Sequence, residues 1–266
     1  TPELVTITPH EGNVEYSVMG FTPDNQTFMY STNEFGEFSQ AWTLSLETGE
    51  RAPLITDDWD VMYVGYSPSG RYQVSGINND ASTDVSLIDL QTGEAVVLNN
   101  VPAGDLAQVR FNRDETAIAF GLNRDTAPYD LYYMPLGGEA SRLTTALNPA
   151  INSDFMVEGE VVRFASYDGL QVPGILYQPR EASAENPAPA LVWVHGGPGG
   201  QSRKGYSAMI QHLVNHGYAV YQINNRGSSG YGKTFYHLDD LKHGEADLGD
   251  VVASRDFLCL LYTSDA

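Results

Sequence analysis

Hydrophobic and polar positions alternate through the first half of the chain on a regular beat. Three segments share one pattern: Phe21-Thr-Pro-Asp24, Tyr66-Ser-Pro-Ser69 and Phe111-Asn-Arg-Asp114, whose aromatic residues stand at a constant interval of 45 residues. Each opens with an aromatic residue and a polar turn, then an apolar run: 27–30, 71–74 and 116–120. Each closes with a second run and a turn: Trp42–Leu46 before Thr48-Gly49, Val85–Leu90 before Thr92-Gly93, and Leu131–Met134 before Gly137-Gly138. Short runs punctuated by turns and recurring at about 40–50 residues predict four-stranded β-propeller blades. Residues 1–12 read as the tail of an earlier blade. Three blades fall short of a closed ring, so the chain is expected to begin inside a propeller.

From about residue 155 the beat stops. Val161–Phe164 and Val172–Tyr177 flank Asp168-Gly169 and predict a hairpin. Pro179 to Pro189 predicts an exposed loop. Ala190–Val194 is a continuous apolar run suited to a strand buried on both faces of a parallel sheet. Met209, Ile210, Leu213 and Val214 recur at helical spacing, with Gly217 at the expected helix end. Tyr218–Ile223 predicts another buried strand, and Leu248, Val251 and Val252 start a further amphipathic helix. The expected architecture is therefore about three blades and a partial one over 1–150, then the N-terminal part of an α/β-hydrolase domain over 151–266.

Composition narrows the partners. Hydrophobic residues make up 42% and aromatics 11% of the 266 residues, enough for a packed core. Against 34 acidic residues stand 14 Lys and Arg, a formal charge of −20, which repels nucleic acid and anionic membranes. No apolar run approaches the roughly 18 residues of a membrane span. The single cysteine, Cys259, makes no internal disulfide, which leans towards a reducing compartment such as the cytoplasm.

Two glycine-rich strings carry the candidate chemistry, each directly after a predicted strand. In His195-Gly-Gly-Pro-Gly-Gly200, glycines at a strand end let backbone N–H groups face a ligand. The loop serves either as an oxyanion-hole donor or as a tight turn for packing alone. The second string is Asn224-Asn-Arg-Gly-Ser-Ser-Gly-Tyr-Gly232. Its Arg226 is expected to brace the loop against a carboxylate, Asp250 or Asp247. Tyr231 and Tyr206 either line a pocket or are ordinary loop tyrosines. The histidines 212, 216, 237 and 243 show no ligand-like spacing with cysteines or carboxylates, so neither a metal site nor a cofactor is expected.

Taken together, His-Gly-Gly-Pro followed about thirty residues later by Asn-x-Arg-Gly-Ser-x-Gly-Tyr-Gly is similar to the catalytic domain of the prolyl oligopeptidase family, which includes acylaminoacyl and dipeptidyl peptidases. Phe164–Gly169 with Pro179, and His243–Val251, also resemble that family, as does a propeller upstream of a hydrolase domain. The resemblance implies a serine peptidase acting on short peptides, because the propeller screens substrates by size. It places the oxyanion N–H at Gly197, with Gly196 shaping the turn. His195 falls where some relatives carry an oxyanion-stabilising tyrosine; the other reading is a strand-end histidine that orders the loop. No serine completes a G-x-S-x-G elbow: Gly205-Tyr-Ser207 is followed by Ala-Met, and Gly227-Ser-Ser229 by Gly-Tyr. The triad of Ser, Asp and His is thus expected outside these residues, leaving the chain alone inactive. Residues 259–266 depart from the family pattern and read as a non-native tail. Two other functions stay open, a carboxylesterase on the same fold and a non-catalytic propeller module with a degenerate hydrolase domain.

Overall fold

The computed structural model of the protein describes residues 6–261. The ends of two expected features, residues 1–5 of the partial blade and 262–266 of the tail, lie outside the described residues. Three four-stranded antiparallel sheets come first. They comprise β1 (Tyr16–Phe21), β2 (Thr27–Thr32), β3 (Gln40–Ser45) and β4 (Arg51–Ile55); β5 (Asp60–Tyr66), β6 (Tyr72–Asn79), β7 (Ser82–Asp89) and β8 (Glu94–Ala95); and β9 (Asp105–Phe111), β10 (Ala117–Arg124), β11 (Ala127–Pro135) and β12 (Ser141–Arg142). Each is a simple meander with strands in chain order.

The sequence repeat becomes a structural one at the first turn of each blade. Thr22, Ser67 and Asn112 donate their N–H to the carbonyls of Thr27, Tyr72 and Ala117, at 2.9–3.0 Å. Asn25, Gly70 and Glu115, three residues on, hold left-handed backbone and return an N–H to the same three residues. The repeated polar side chain closes the turn each time. Thr22 Oγ1 donates to Thr27 O, Ser67 Oγ accepts from Tyr72 N–H, and Asn112 Oδ1 accepts from Ala117 N–H. A short polar residue at that place supplies a local bond that an apolar one lacks.

The fourth sheet is mixed. It contains β13 (Glu160–Ala165), β14 (Gln171–Tyr177), β15 (Ala190–Val194) and β16 (Ala219–Ile223), in the order β13-β14-β16-β15. The β13–β14 and β14–β16 pairs are antiparallel, and β15 runs parallel to β16. Helix α1 (Ala208–Asn215) connects β15 to β16, and α2 (Lys233–Tyr236) and α3 (Ala246–Leu260) follow. Period-two alternation sorts the central strands between two cores. Ile175, Tyr177 and Val220 meet Ile210 and Val214 of α1. Val172, Leu176, Tyr221 and Ile223 meet Leu258 of α3 on the other side.

By compactness the described residues divide into two units, 6–79 with 84–97, and 80–83 with 98–261. The third blade thus shares a unit with the mixed sheet. Asp125, in the turn after β10, is the buried joint within that unit. Its carboxylate accepts from Gly159 N–H, Tyr177 Oη–H and Gly205 N–H at 2.7–2.9 Å. Burial and the neighbouring Asp125 charge push the Tyr177 hydroxyl far above its ordinary range, so it remains a donor.

Two expectations about burial are corrected. Ala190–Val194 is not buried on both faces: among the described residues β15 pairs only with β16, and Trp193 and Val194 are 40% and 50% exposed. Its apolar run reports the strand's own chemistry and not which neighbours cover it. Helix α3 turns Asp247, Asp250, Ser254 and Leu258 inward, whereas Leu248 and Val252 face out. A polar network, described below, takes the place that an apolar stripe was expected to fill.

In the first unit Arg51 holds Glu34, and Arg71 holds Asp89, below the usual carboxylate range; Thr22 and the Gln26 N–H do the same for Asp24. Burial raises Asp60 instead. Depressed carboxylates stabilise above about pH 4 and lose that contribution as pH falls through their folded values; Asp60 acts in the opposite sense. With three against one, the urea midpoint reported by Trp42 and Trp59 fluorescence is expected to be lower at pH 3 than at pH 6. An unchanged midpoint would contradict the balance. The open edge of β15 leads to a second expectation. Trp193→Lys should raise the concentration at which the chain self-associates in light scattering, since an edge charge opposes strand pairing; no change would show that this edge is not the route.

Candidate functional site

The parallel strand β15 ends at His195, and the glycine string follows at once. Gly197 adopts φ +139°, and a Cβ there would lie 2.8 Å from Gly200 N, so the loop folds back on itself too closely for a side chain. Gly196 and Gly197 are exposed. Among the described residues neither N–H meets an acceptor, so both donors are available at the sheet's carboxyl end.

His195 bridges the two glycine-rich loops. Its Nε2 lies 2.9 Å from Ser228 Oγ, and its Nδ1 3.1 Å from Gly196 O. Ser228 Oγ donates to Asn225 O at 2.6 Å while resting against the imidazole. Ser228 is fully buried with its proton engaged, which removes it as a nucleophile despite its imidazole partner. Ser229 N–H donates to Gly200 O at 3.0 Å. Asn224, fully buried, accepts from Ser202 N–H and donates to Ser202 O. Four bonds thus hold the loops in one arrangement.

Arg226 is placed beneath them, almost wholly buried. Its Nε and Nη2 donate to Asp250 at 3.0 and 2.8 Å, and Nη1 and Nη2 donate to Asp168 at 2.9 and 3.0 Å. Its backbone N–H also reaches Asp250, which accepts Ser166 Oγ–H as well. The Tyr167 ring stacks 4.7 Å from the guanidinium. These carboxylates push the Arg226 pKa upward, Asp250 most, while Arg226 holds Asp168 below the ordinary carboxylate range.

Of the two expected partners, Asp250 meets Arg226, and Asp247 pairs with His243 instead. Asp168, expected in the hairpin turn, joins as a second carboxylate, and nothing in its spacing announces the fork it offers. Tyr231 points into the loop, where its hydroxyl accepts from Asn224 Nδ2 at 3.0 Å; burial pushes its pKa up to about 12. Tyr206 donates its backbone N–H to Asn123 of the third blade. Contrary to expectation, His243 does have carboxylates at a spacing of four residues: one side-chain oxygen each of Asp239 and Asp247 lies within 4.8 Å of its ring nitrogen.

Arg226→Met leaves the fully buried Asp250 without its cation and is expected to cost about 3–5 kcal/mol of stability. Arg226→Lys keeps the charge but not the double fork, and should fall between Met and the wild type. Urea denaturation of the three chains checks this ordering; a loss below about 1 kcal/mol for the Met variant would place the pair among weak surface bridges.

Residues 204–265 match the family described as the prolyl oligopeptidase family. The match runs through the segment whose departure from the family pattern had suggested a foreign tail. The chain is 28% identical over 232 residues to the uncharacterized peptidase YuxL of Bacillus subtilis, covering 82% of this chain and 35% of that protein. It is 27% identical over 248 residues to dipeptidyl aminopeptidase BIII of Pseudoxanthomonas mexicana, covering 85% and 34%. The chain thus spans about a third of the length of these curated relatives. In fold it resembles puromycin hydrolase, with a TM-score of 0.77 at 16% identity over 94% of this chain and 40% of that one. It also resembles a prolyl endopeptidase, with 0.75 at 19% identity over 95% and 37%. Residues 204–265 thus carry the sequence pattern of the prolyl oligopeptidase family, and the chain as a whole is similar in fold to puromycin hydrolase and a prolyl endopeptidase.

Proposed function

We propose that the chain belongs to a serine peptidase that hydrolyses short peptides through an acyl-enzyme, and that it supplies the oxyanion side of the active site. The observation that carries this reading is the pair of exposed, acceptor-free N–H groups of Gly196 and Gly197 at the end of a parallel strand. When a nucleophile attacks a peptide carbonyl, the oxygen gains negative charge. A donor fixed beforehand stabilises that oxyanion without reorganising, typically by about 3–4 kcal/mol. Gly197 N–H fills this role, Gly196 shapes the turn, and His195 holds the loop through Ser228. Arg226, Asp168 and Asp250 brace the second loop from below, and Tyr231 packs it.

The nucleophilic serine, its histidine base and the orienting acid come from residues outside these 266, because no G-x-S-x-G elbow occurs here and Ser228 is buried. Names among the relatives and fold neighbours, an aminopeptidase and prolyl endopeptidases, favour amide over ester substrates. On this reading the blades occupy 1–150 and the hydrolase part occupies 151–266.

The test uses the intact protein that contains this chain. It should cleave an aminoacyl-chromogenic amide, lose activity to a serine-directed phosphonate, and fall on the order of 10²-fold in kcat with Gly197→Ala. The 266-residue chain alone should show no turnover. Phosphonate-sensitive turnover by that chain alone, or phosphonate-resistant cleavage by the intact protein, would overturn the assignment.

A further inference from the structure

A cleft of about 660 Å³ opens beside the third blade, where the turn after β10, strand β12, the segment 145–158 and the residues after β14 meet. Three arginines line it, Arg124, Arg142 and Arg180, against one carboxylate, Glu158. That ratio reverses the chain's own, in which 34 acidic residues outnumber 14 Lys and Arg. Strand β14 pairs Gly174 with Ile223 at the end of β16 and Tyr177 with Val220 near its start. The glycine string follows Val194, which also pairs with Ile223. Arg180, beyond Tyr177, therefore lies at the opposite end of the sheet from the glycine loops.

Each arginine is held by a backbone carbonyl and keeps further N–H groups. Arg124 Nε donates to Ala103 O at 3.0 Å, Arg142 Nε to Thr144 O at 2.8 Å, and Arg180 Nη2 to Met156 O at 2.9 Å. Gly104 makes room for Arg124, since a Cβ there would stand 2.7 Å from the arginine's Cγ. Arg142 also donates to the buried Asp130, which balances its charge. Arg124 and Arg180 have no carboxylate partner among the described residues. Two like charges held in one cleft repel each other, and an anion between them removes that cost. The hydroxyls of Thr126 and Thr145 border the same space.

We propose that this cleft binds a small organic anion, with a phosphate or carboxylate head on Arg124 and Arg180 and an apolar body against Leu147, Ile151 and Met156. Guanidinium forks match the paired oxygens of either head. The volume suits a small molecule and exceeds what a bare ion fills. Arg124 precedes Asp125, whose carboxylate already joins the blade to Gly159, Tyr177 and Gly205. A ligand held by Arg124 and Arg180 adds a second tie across that joint. The site stands independently of the peptidase reading, because it lies away from the glycine loops and its test reads binding and not turnover.

The experiment titrates the protein by calorimetry with sodium phosphate and, separately, with sodium succinate, at constant ionic strength so that general screening is held fixed. One saturable site per chain is expected for at least one probe, and the tighter of the two names the head. Arg124→Gln and Arg180→Gln should each weaken that binding at least about tenfold, because a charged hydrogen-bonded contact is lost. Glu158→Gln should tighten it by about threefold, a gain that damage to the fold does not produce. Arg180 and Glu158 are exposed, so their variants decide if Arg124→Gln fails to fold. No saturable binding of either probe, or binding unchanged by the Arg180 and Glu158 substitutions, overturns the proposal.

Discussion

A single buried guanidinium governs the second half of this protein. Arg226 has five donor N–H groups on its side chain, and the fold meets four of them with Asp250 on α3 and Asp168 in the β13–β14 turn. A charge this deeply buried is tolerated only when its partners are fixed. The strand-to-loop junction after β16, the hairpin turn and the helix must therefore keep one mutual arrangement. The Tyr167 ring and Ser166 hydroxyl come from the same turn and close the remaining sides. Helix α3 accordingly spends its inward face on Asp247, Asp250 and Ser254 before reaching Leu258.

Above this anchor, the two glycine-rich loops are joined by polar contacts alone. His195 meets Ser228, Ser229 meets Gly200, and Asn224 meets Ser202 on both its side-chain atoms. Every one of these bonds uses up a loop donor or acceptor, yet among the described residues the N–H groups of the exposed Gly196 and Gly197 meet none. Donors held rigid by their neighbours and open to solvent are what electrostatic stabilisation of a developing oxyanion requires.

The blades show a different economy. Each first turn is closed locally by Thr22, Ser67 or Asn112, within five residues of itself, so the same sequence pattern yields the same bonds three times. Such short-range closure is legible in sequence because cause and effect sit on one short stretch. The partnership of Asp125 with Gly159, Tyr177 and Gly205 is the reverse case. An aspartate in a blade turn looks like any turn residue until the fold carries three donors to it from 34, 52 and 80 residues away.

The division between sequence and tertiary structure follows the same line. The 45-residue beat, the change of pattern near residue 155, the strand–helix alternation and the paired glycine strings were all readable from the chain, because each depends on periodicity or on local backbone demands. Arg226 with a carboxylate was also foreseeable, since a charged residue among buried strands needs an opposite charge. Which carboxylate it takes, that Asp168 joins it, that β15 pairs only with β16 among the described residues, and that Asp239, His243 and Asp247 converge were decided only by folding. Those outcomes depend on which distant segments come within a few ångströms of each other, and neither hydrophobic period nor motif spacing encodes that distance.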